Sequence, residues 1–111
     1  MQVKNLIEKE KFKLITGEEG ITAEIEGLYC CDLLSWVMSH AKGGDAWITV
    51  QTHMNIVAVA SLLDISCIII PESIDIDQKT IDKAKEENIP ILSTNLNSYE
   101  IFCEMYESGL R

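Results

Sequence analysis

The regular alternation of short apolar runs with helix-length segments constrains the fold of this chain more than any other feature. From residue 24 onward, a segment typical of a strand is followed by one typical of a helix, four times over. Strands joined by helix-length crossovers run parallel. The isoleucine-rich run at 66–70 suits a strand covered on both faces. The alternation therefore predicts a three-layer α/β/α domain around a small, mostly parallel sheet of about four to five strands.

Local patterning indicates the bounds of each element. Strands are predicted at 12–15, 21–26 running into 27–30, 46–50, 66–70 and 91–94, and helices at 2–10, 33–41, 53–63, 77–88 and 98–108. The two early strands are a candidate antiparallel edge of the sheet. Asp32 is a plausible cap for the helix at 33–41, and Asn97 with Glu100 for the last helix, because such side-chain oxygens accept from free backbone amides.

Length and charge narrow the possible partners. The chain has 111 residues, which fits a single domain over 1–111. Its net charge is −9, and its only arginine is the last residue, Arg111. Because nucleic acids and anionic membranes are bound through basic patches, this acidity argues against both as partners. The start of the chain has no apolar signal core, and no apolar run approaches a membrane span, so we expect a cytoplasmic protein.

The polar residues that follow the predicted strands form the candidate ligand site. Ligands of an open parallel sheet bind outside the carboxyl ends of its strands. The candidates at this rim are Asp32, Gln51, Thr52, His53, Asn55, Glu72, Ser73 and Thr94. They could hold a small polar ligand, or they could be the helix caps that any such domain needs. His53 could act as a general base, but no nucleophile stands at a recognisable spacing from it.

The sequence lacks the motifs of a phosphoryl-transfer enzyme. It contains neither a Gly-x-x-x-x-Gly-Lys-Ser/Thr loop nor a Gly-x-Gly-x-x-Gly loop. With no arginine before Arg111, it also lacks the fixed charge that such enzymes use on phosphate. We therefore expect no catalytic residues, no cofactor and no metal site, although Asp32 and Glu72 could in principle pair as acid and base or bind Mg²⁺.

Two predicted helices, 33–41 and 53–63, are more apolar than one small sheet can cover. The candidate interface residues are Leu33, Leu34, Trp36, Val37 and Met38 in the first helix, with Met54 and Val57 in the second. An uncovered apolar patch of this size is unusual for a soluble monomer. We therefore expect a homodimer, or docking on a larger protein partner, through one or both helices.

Several short segments also occur in an order typical of a known family. They are Asp32-Leu33-Leu34, the stretches 44–49, 55–60, 68–70 and 89–94, and Ser98-Tyr99-Glu100. Together they resemble the DRTGG domain, which is similar to the N-terminal domain of HPr kinase/phosphorylase. The namesake residues are replaced. Thr52-His53 stand where such domains carry Asp-Arg, and Pro71-Glu72-Ser73 stand where they carry Thr-Gly-Gly.

The resemblance implies an accessory module and not a catalyst. Such domains occur beside phosphotransacetylases and between CBS domains, and the related half of HPr kinase is non-catalytic. We therefore expect a stand-alone regulatory or interaction module that dimerises through its apolar helices and senses a small ligand at the strand ends. The alternative is a small nucleotide- or phospho-metabolite-binding protein or enzyme that uses Gln51, Thr52, His53 and Glu72.

Overall fold

The computed structural model describes residues 1–110 and shows a five-stranded sheet with helices on both faces. The elements are α1 (Val3–Ile7), β1 (Lys13–Leu14), β2 (Gly27–Cys30), α2 (Leu34–His40), β3 (Asp45–Ile48), α3 (Asn55–Leu63), β4 (Cys67–Ile70), α4 (Gln78–Glu87), β5 (Ile91–Ser93) and α5 (Ser98–Glu107). This confirms the predicted three-layer α/β/α architecture. No helix within the described residues is long and apolar enough to cross a membrane.

The strand order in the sheet is β1-β5-β4-β3-β2. Strands β2 to β5 pair in parallel, and β1 forms an antiparallel edge beside β5, with Lys13 opposite Ser93 and Leu14 opposite Leu92. An antiparallel edge is as predicted, but the two early strands do not form it together, because β2 lies at the opposite edge of the sheet, parallel to β3. Both β3 and β4 are buried along their whole length. Their continuous apolar runs are therefore explained by helices on both faces of the sheet.

The predicted strand at 21–26 is wrong over most of its length. Its backbone caps the first helix instead: the carbonyl of Ala23 accepts from the Val3 amide at 3.0 Å, and that of Ile21 accepts from the Lys4 amide at 2.8 Å. A single isolated bridge joins Glu24 to Gln2. Because the carbonyls of this segment satisfy free amides of α1, they do not form a sheet ladder.

The three crossover helices α2, α3 and α4 pack on the same face of the sheet, against residues such as Trp47 and Ile68. Helices α1 and α5 cover the other face, against Ile48 and Ile69. The strand order from β2 to β5 progresses in one direction, and crossovers of the same hand then place every connecting helix on one side. The second helical layer therefore comes from the two ends of the chain.

The two predicted helix caps have different outcomes. Asn97 caps α5 as predicted: its side-chain oxygen accepts from the Glu100 amide at 2.9 Å, and the Glu100 carboxylate accepts from the Asn97 amide at 3.0 Å. Asp32 does not cap α2, because the N-cap position belongs to Leu33 and no side-chain cap bond forms there. The Asp32 carboxylate has other partners, at the end of β3.

Candidate functional site

The carboxyl ends of β2 and β3 are tied together by Asp32 and Gln51. One Asp32 carboxylate oxygen accepts from the Thr49 hydroxyl at 2.8 Å and from the Val50 amide at 2.9 Å. The side-chain amide of Gln51 donates to the Asp32 carbonyl at 3.1 Å. These contacts hold two neighbouring loops in register. Asp32 and Gln51 therefore have a structural role whether or not they also contact a ligand.

His53, Thr52 and Asn55 lie where α3 begins. The Nδ1 atom of His53 accepts from the Asn55 amide at 3.2 Å, which satisfies a free amide of the first helical turn. The Thr52 carbonyl accepts from the Thr80 hydroxyl at 2.5 Å. His53 also lines a groove at the start of α4, together with Met54 and Asp77. The contacts of His53 are those of a residue that organises a helix start.

A second set of bonds ties the loop after β4 to the loop after β5. The amide of Glu72 donates to the Leu96 carbonyl at 2.9 Å, and the amide of Ser73 donates to the Thr94 carbonyl at 2.9 Å. Glu72 and Ser73 have φ values of 58° and 55°. This is the left-handed region, where glycine is the least strained residue. The backbone at this point is therefore held in a costly conformation by its neighbours.

Thr94 is buried, and its hydroxyl both donates and accepts a hydrogen bond. Its hydroxyl donates to the Lys11 carbonyl at 2.7 Å and accepts from the Leu96 amide at 3.2 Å. Thr49 plays a matching part at the end of β3, donating to Asp32 and accepting from the Gln51 amide at 3.2 Å. The side chains of both threonines therefore stabilise the loops at the ends of the strands through hydrogen bonds. Thr94 also holds the segment that leads into β1, through its bond to Lys11.

The chain leaves β4 and β5 in opposite directions. After β4 it leads to α4 on one face of the sheet, and after β5 it leads to α5 on the other. Ligand crevices in open α/β sheets form where neighbouring strands send their connections to opposite faces. A polar groove of about 460 Å³ lies here, called the β4/β5 crevice below. It is lined by Glu10, Lys11, Lys13, Ser73, Ser93, Thr94 and Asn95.

Of the predicted rim residues, only Ser73 and Thr94 line this crevice. Sequence patterning did not predict that Glu10, Lys11 and Lys13 would join them. Because β1 is antiparallel to β5, the residues at its start lie at the carboxyl end of β5. The one feature of the sequence that could have indicated these residues is the candidate antiparallel edge strand. The pairing partner of β1, which decides the position of these lysines, is not encoded locally.

The charges in the crevice come mainly from two lysines. Lys11 forms an ion pair with Glu104 of α5, and the hydrogen bond and charge of Glu104 raise the pKa of Lys11. Lys13 is exposed, and no ion pair to it forms among residues 1–110. The same described residues contain no group of three or more His, Cys, Asp or Glu side chains placed to hold a metal.

The predicted interface residues fall into two groups. Leu33 is 62% exposed and Trp36 is 51% exposed, and Met38 and Met54 are exposed as well. Val37 and Val57 are fully buried in the core beneath α2 and α3, so they cannot form part of a surface contact. Leu34 is partly buried against the same core. The assignment of Val37 and Val57 to an interface is therefore corrected.

Two exposed apolar side chains at α2, Leu33 and Trp36, lie on the same side of the helix as His40, whereas Met38 lies on another side. Leu33, Trp36 and His40 are spaced three and four residues apart, which places them on one side. The rings of Trp36 and His40 stack with centroids 3.9 Å apart. We call these three residues the α2 ridge. The sequence did not indicate a second apolar surface, on α5, where Tyr99, Phe102 and Tyr106 are exposed.

Solved structures contain a similar fold. The CBS and DRTGG domains of the regulatory region of Clostridium perfringens pyrophosphatase, complexed with the activator diadenosine tetraphosphate, align with a TM-score of 0.74 and 17% sequence identity. The alignment covers 92% of this chain and 44% of that one, so this chain spans less than half the length of its structural neighbour. At this identity the likeness shows a shared fold.

Sequence comparison assigns the family. No curated protein matches the chain. The family model of the DRTGG domain matches residues 5–108, which is nearly the whole sequence. The match spans every strand of the sheet and the segments on which the resemblance rests. The chain therefore belongs to the DRTGG domain family.

Proposed function

We propose that this chain is a non-catalytic regulatory module that senses a small polar ligand in the β4/β5 crevice. One observation carries the proposal. Neighbouring parallel strands send the chain to opposite faces of the sheet, and polar side chains line the opening between them. Small-molecule sites of α/β domains are commonly found at this kind of position.

The contacts of the predicted rim residues support a non-catalytic role. Asp32, Gln51 and His53 each bond to backbone groups that hold a loop or a helix start in place. A general base must reach the proton it abstracts, and a nucleophile must reach its base. No hydrogen bond links Asp32 to Glu72 in the described part of the chain, so the geometry favours structural roles over acid–base pairing.

The crevice also offers a route for a signal. The loops on its two sides lead directly into α4 and α5, and the amides of Glu72 and Ser73 connect these loops. A ligand that contacts Ser73 on one side and Asn95 on the other would bind differently to open and closed arrangements of the loops. Such differential binding is what a regulatory ligand requires to shift a conformational equilibrium. The regulatory setting of the pyrophosphatase neighbour supports this reading.

The proposal includes self-association through the α2 ridge. Half of the Trp36 surface and more than half of the Leu33 surface face solvent, at a position where the sheet cannot reach them. Large aromatic side chains are the usual anchors of protein interfaces. The proposed partner is a second copy of this chain, with a larger protein as the alternative occupant.

A thermal-shift screen tests the ligand proposal. The compounds are neutral sugars, nucleosides, their phosphorylated forms and divalent cations, and a ligand raises the Tm by binding the folded state alone. We expect the Tm increase from a hit to shrink in Ser73→Ala and Asn95→Ala variants. It should persist in Gln51→Ala, a matched truncation at the other end of the rim.

Two outcomes would contradict the ligand proposal. The first is the absence of a Tm increase with every compound. The second is a Tm increase that disappears in Gln51→Ala and His53→Ala but not in the crevice variants. That second pattern would favour the alternative nucleotide- or phospho-metabolite-binding site at Gln51, Thr52, His53 and Glu72.

A further inference from the structure

We infer that the β4/β5 crevice receives the phosphate group of a small phosphorylated metabolite, and that Lys13 supplies the charge that holds it. This inference rests on the proposed ligand-sensing function and names the class of ligand. It follows from the placement of charges along the chain, the register of β1, and the hydrogen-bond donors around the crevice.

The N-terminal segment that runs into the crevice is basic, although the protein as a whole is acidic. Residues 1–13 carry four lysines and two glutamates, a net charge of +2 in a chain whose total is −9. The last part of this segment, with Lys11 and Lys13, runs along the crevice. The charged residues that line the crevice are Lys11, Lys13 and Glu10, so two cations stand against one carboxylate there. A local excess of positive charge draws anions even when the protein as a whole repels them.

The register of the sheet edge places Lys13 against a hydroxyl group. Lys13 is the direct partner of Ser93 in the antiparallel pair, so their Cβ atoms are about 5 Å apart on the same face. The next pair, Leu14 and Leu92, points to the opposite face, where Leu92 is in the core. The Lys13 ammonium and the Ser93 hydroxyl therefore face the same side of the sheet.

Among the described residues that line the crevice, Lys13 is the cation without an ion pair, since Lys11 is already paired with Glu104. The hydroxyls of Ser73 and Ser93 and the amide of Asn95 add donors around the same opening. Phosphate oxygens accept several hydrogen bonds, and bonds in which the partners are charged are the stronger ones. The crevice therefore offers the groups that a phosphate needs, without a phosphate-binding loop.

The carboxylate of Glu10 further limits the kind of ligand that the crevice can bind. It is the one carboxylate that lines the described crevice, and it would repel a phosphate placed beside it. The phosphate therefore belongs at the Lys13–Ser93 end. Glu10 can then accept hydrogen bonds from hydroxyl groups carried by the rest of the ligand. A volume of about 460 Å³ leaves room for more than inorganic phosphate. A phosphorylated sugar or nucleotide fits this arrangement.

The test follows backbone amide signals by NMR in the full chain. The probes are inorganic phosphate, glucose 6-phosphate and AMP, with glucose and adenosine as matched neutral compounds. We expect saturable shifts at Lys13, Ser73, Ser93 and Asn95 with the phosphorylated probes and none with the neutral ones. Tighter binding of the esters than of inorganic phosphate identifies the metabolite, and equal binding identifies the free anion as a sufficient ligand.

Lys13→Gln should weaken phosphate-dependent binding about tenfold, as loss of one charge-assisted contact does. Lys42→Gln removes the same charge at an exposed loop that precedes β3, at the other end of the strands, and should leave affinity unchanged. Equal losses in the two variants would overturn the role of Lys13, since they would reveal a diffuse charge effect. The amide spectra of both variants show whether the fold is intact.

The remaining outcomes separate this inference from the proposed function. Shifts at the crevice with adenosine or glucose, but with no phosphorylated probe, would overturn the phosphate inference and leave ligand sensing in place. An absence of crevice shifts with every probe, together with no thermal shift in the screen, would overturn both.

Discussion

The carboxylate of Asp32 accepts a hydrogen bond of 2.8 Å from the hydroxyl of Thr49, across the carboxyl ends of β2 and β3. The same oxygen also accepts from the Val50 amide. Thr49 is buried, so its hydroxyl depends on this partner. A residue that sequence patterning assigns to a helix cap thus connects two strands of the sheet.

Replacing Asp32 with alanine should therefore destabilise the fold. The variant leaves the Thr49 hydroxyl and the Val50 amide without their acceptor, which typically costs about 1–3 kcal/mol. Urea denaturation measures the loss as a lower midpoint at an unchanged slope. Asp32→Asn keeps one acceptor oxygen and should lose less. Equal stability of Asp32→Ala and the parent chain would contradict the structural role.

The left-handed backbone at Glu72 and Ser73 gives a second prediction. These are the two positions at which the resemblance places the glycines of the family motif, and both have positive φ. Glu72→Gly should raise the free energy of unfolding by up to about 1 kcal/mol, because relief of strain exceeds the entropy gained by the unfolded chain.

Glu72→Val should do the opposite, since a β-branched residue is strained at positive φ. Glu18→Gly is a suitable control at an exposed loop glutamate that does not have a positive φ. It should lower stability by about 0.4–1 kcal/mol through the unfolded state alone. Thermal or urea unfolding compares the three variants. A Glu72→Gly variant as destabilised as the control would mean that Glu72 is not strained.

Trp36→Ala should weaken dimerisation with little loss of monomer stability. The ring is half exposed in the isolated chain, so its truncation leaves no buried cavity. Light scattering coupled to gel filtration measures the mass across a range of concentrations. Trp47→Ala is the matched control, because Trp47 is fully buried and its loss should cost about 3–5 kcal/mol of stability. A strictly monomeric parent chain at micromolar concentration would reject the dimer.

The buried thiol of Cys67 predicts a loss of stability in alkali. Complete burial raises its pKa from 9.0 to about 12, so the folded state holds the proton more tightly than the unfolded state. The resulting stabilisation is fully present below about pH 9 and is lost as the pH rises toward 12. Unfolding free energies measured across this window should fall more steeply in the parent than in Cys67→Ala. Parallel curves would contradict the prediction.

Most of the fold could be predicted from sequence because its signals are local. The isoleucine run of β4, the polar break before α4 and the capping box of Asn97 and Glu100 each act within a few residues. The failure at 21–26 has an equally clear cause. Alternating apolar residues satisfy a strand pattern, but the carbonyls of Ile21 and Ala23 accept hydrogen bonds from amides of α1, a segment separated from them in sequence.

The candidate site was predicted only in outline. Patterning places candidates at the carboxyl ends of the strands, and two of these, Ser73 and Thr94, line the β4/β5 crevice. Lys13 was not predicted, because its position depends on which strand β1 joins. Val37 and Val57 were assigned to an interface, because helical periodicity alone does not say which side of an apolar helix meets the sheet.

The sequence by itself determined that this chain forms a mostly parallel α/β sheet and that it carries no phosphate-binding loop, since both depend on spacing along the chain. Only the tertiary structure decided that α2, α3 and α4 pack on one face of the sheet. It also decided that the Asp32 carboxylate accepts a hydrogen bond from Thr49 and that Lys13 lies at the carboxyl end of β5. The physical reason is that burial, register and hydrogen-bond partners are settled between segments distant in sequence, where local patterning carries no information.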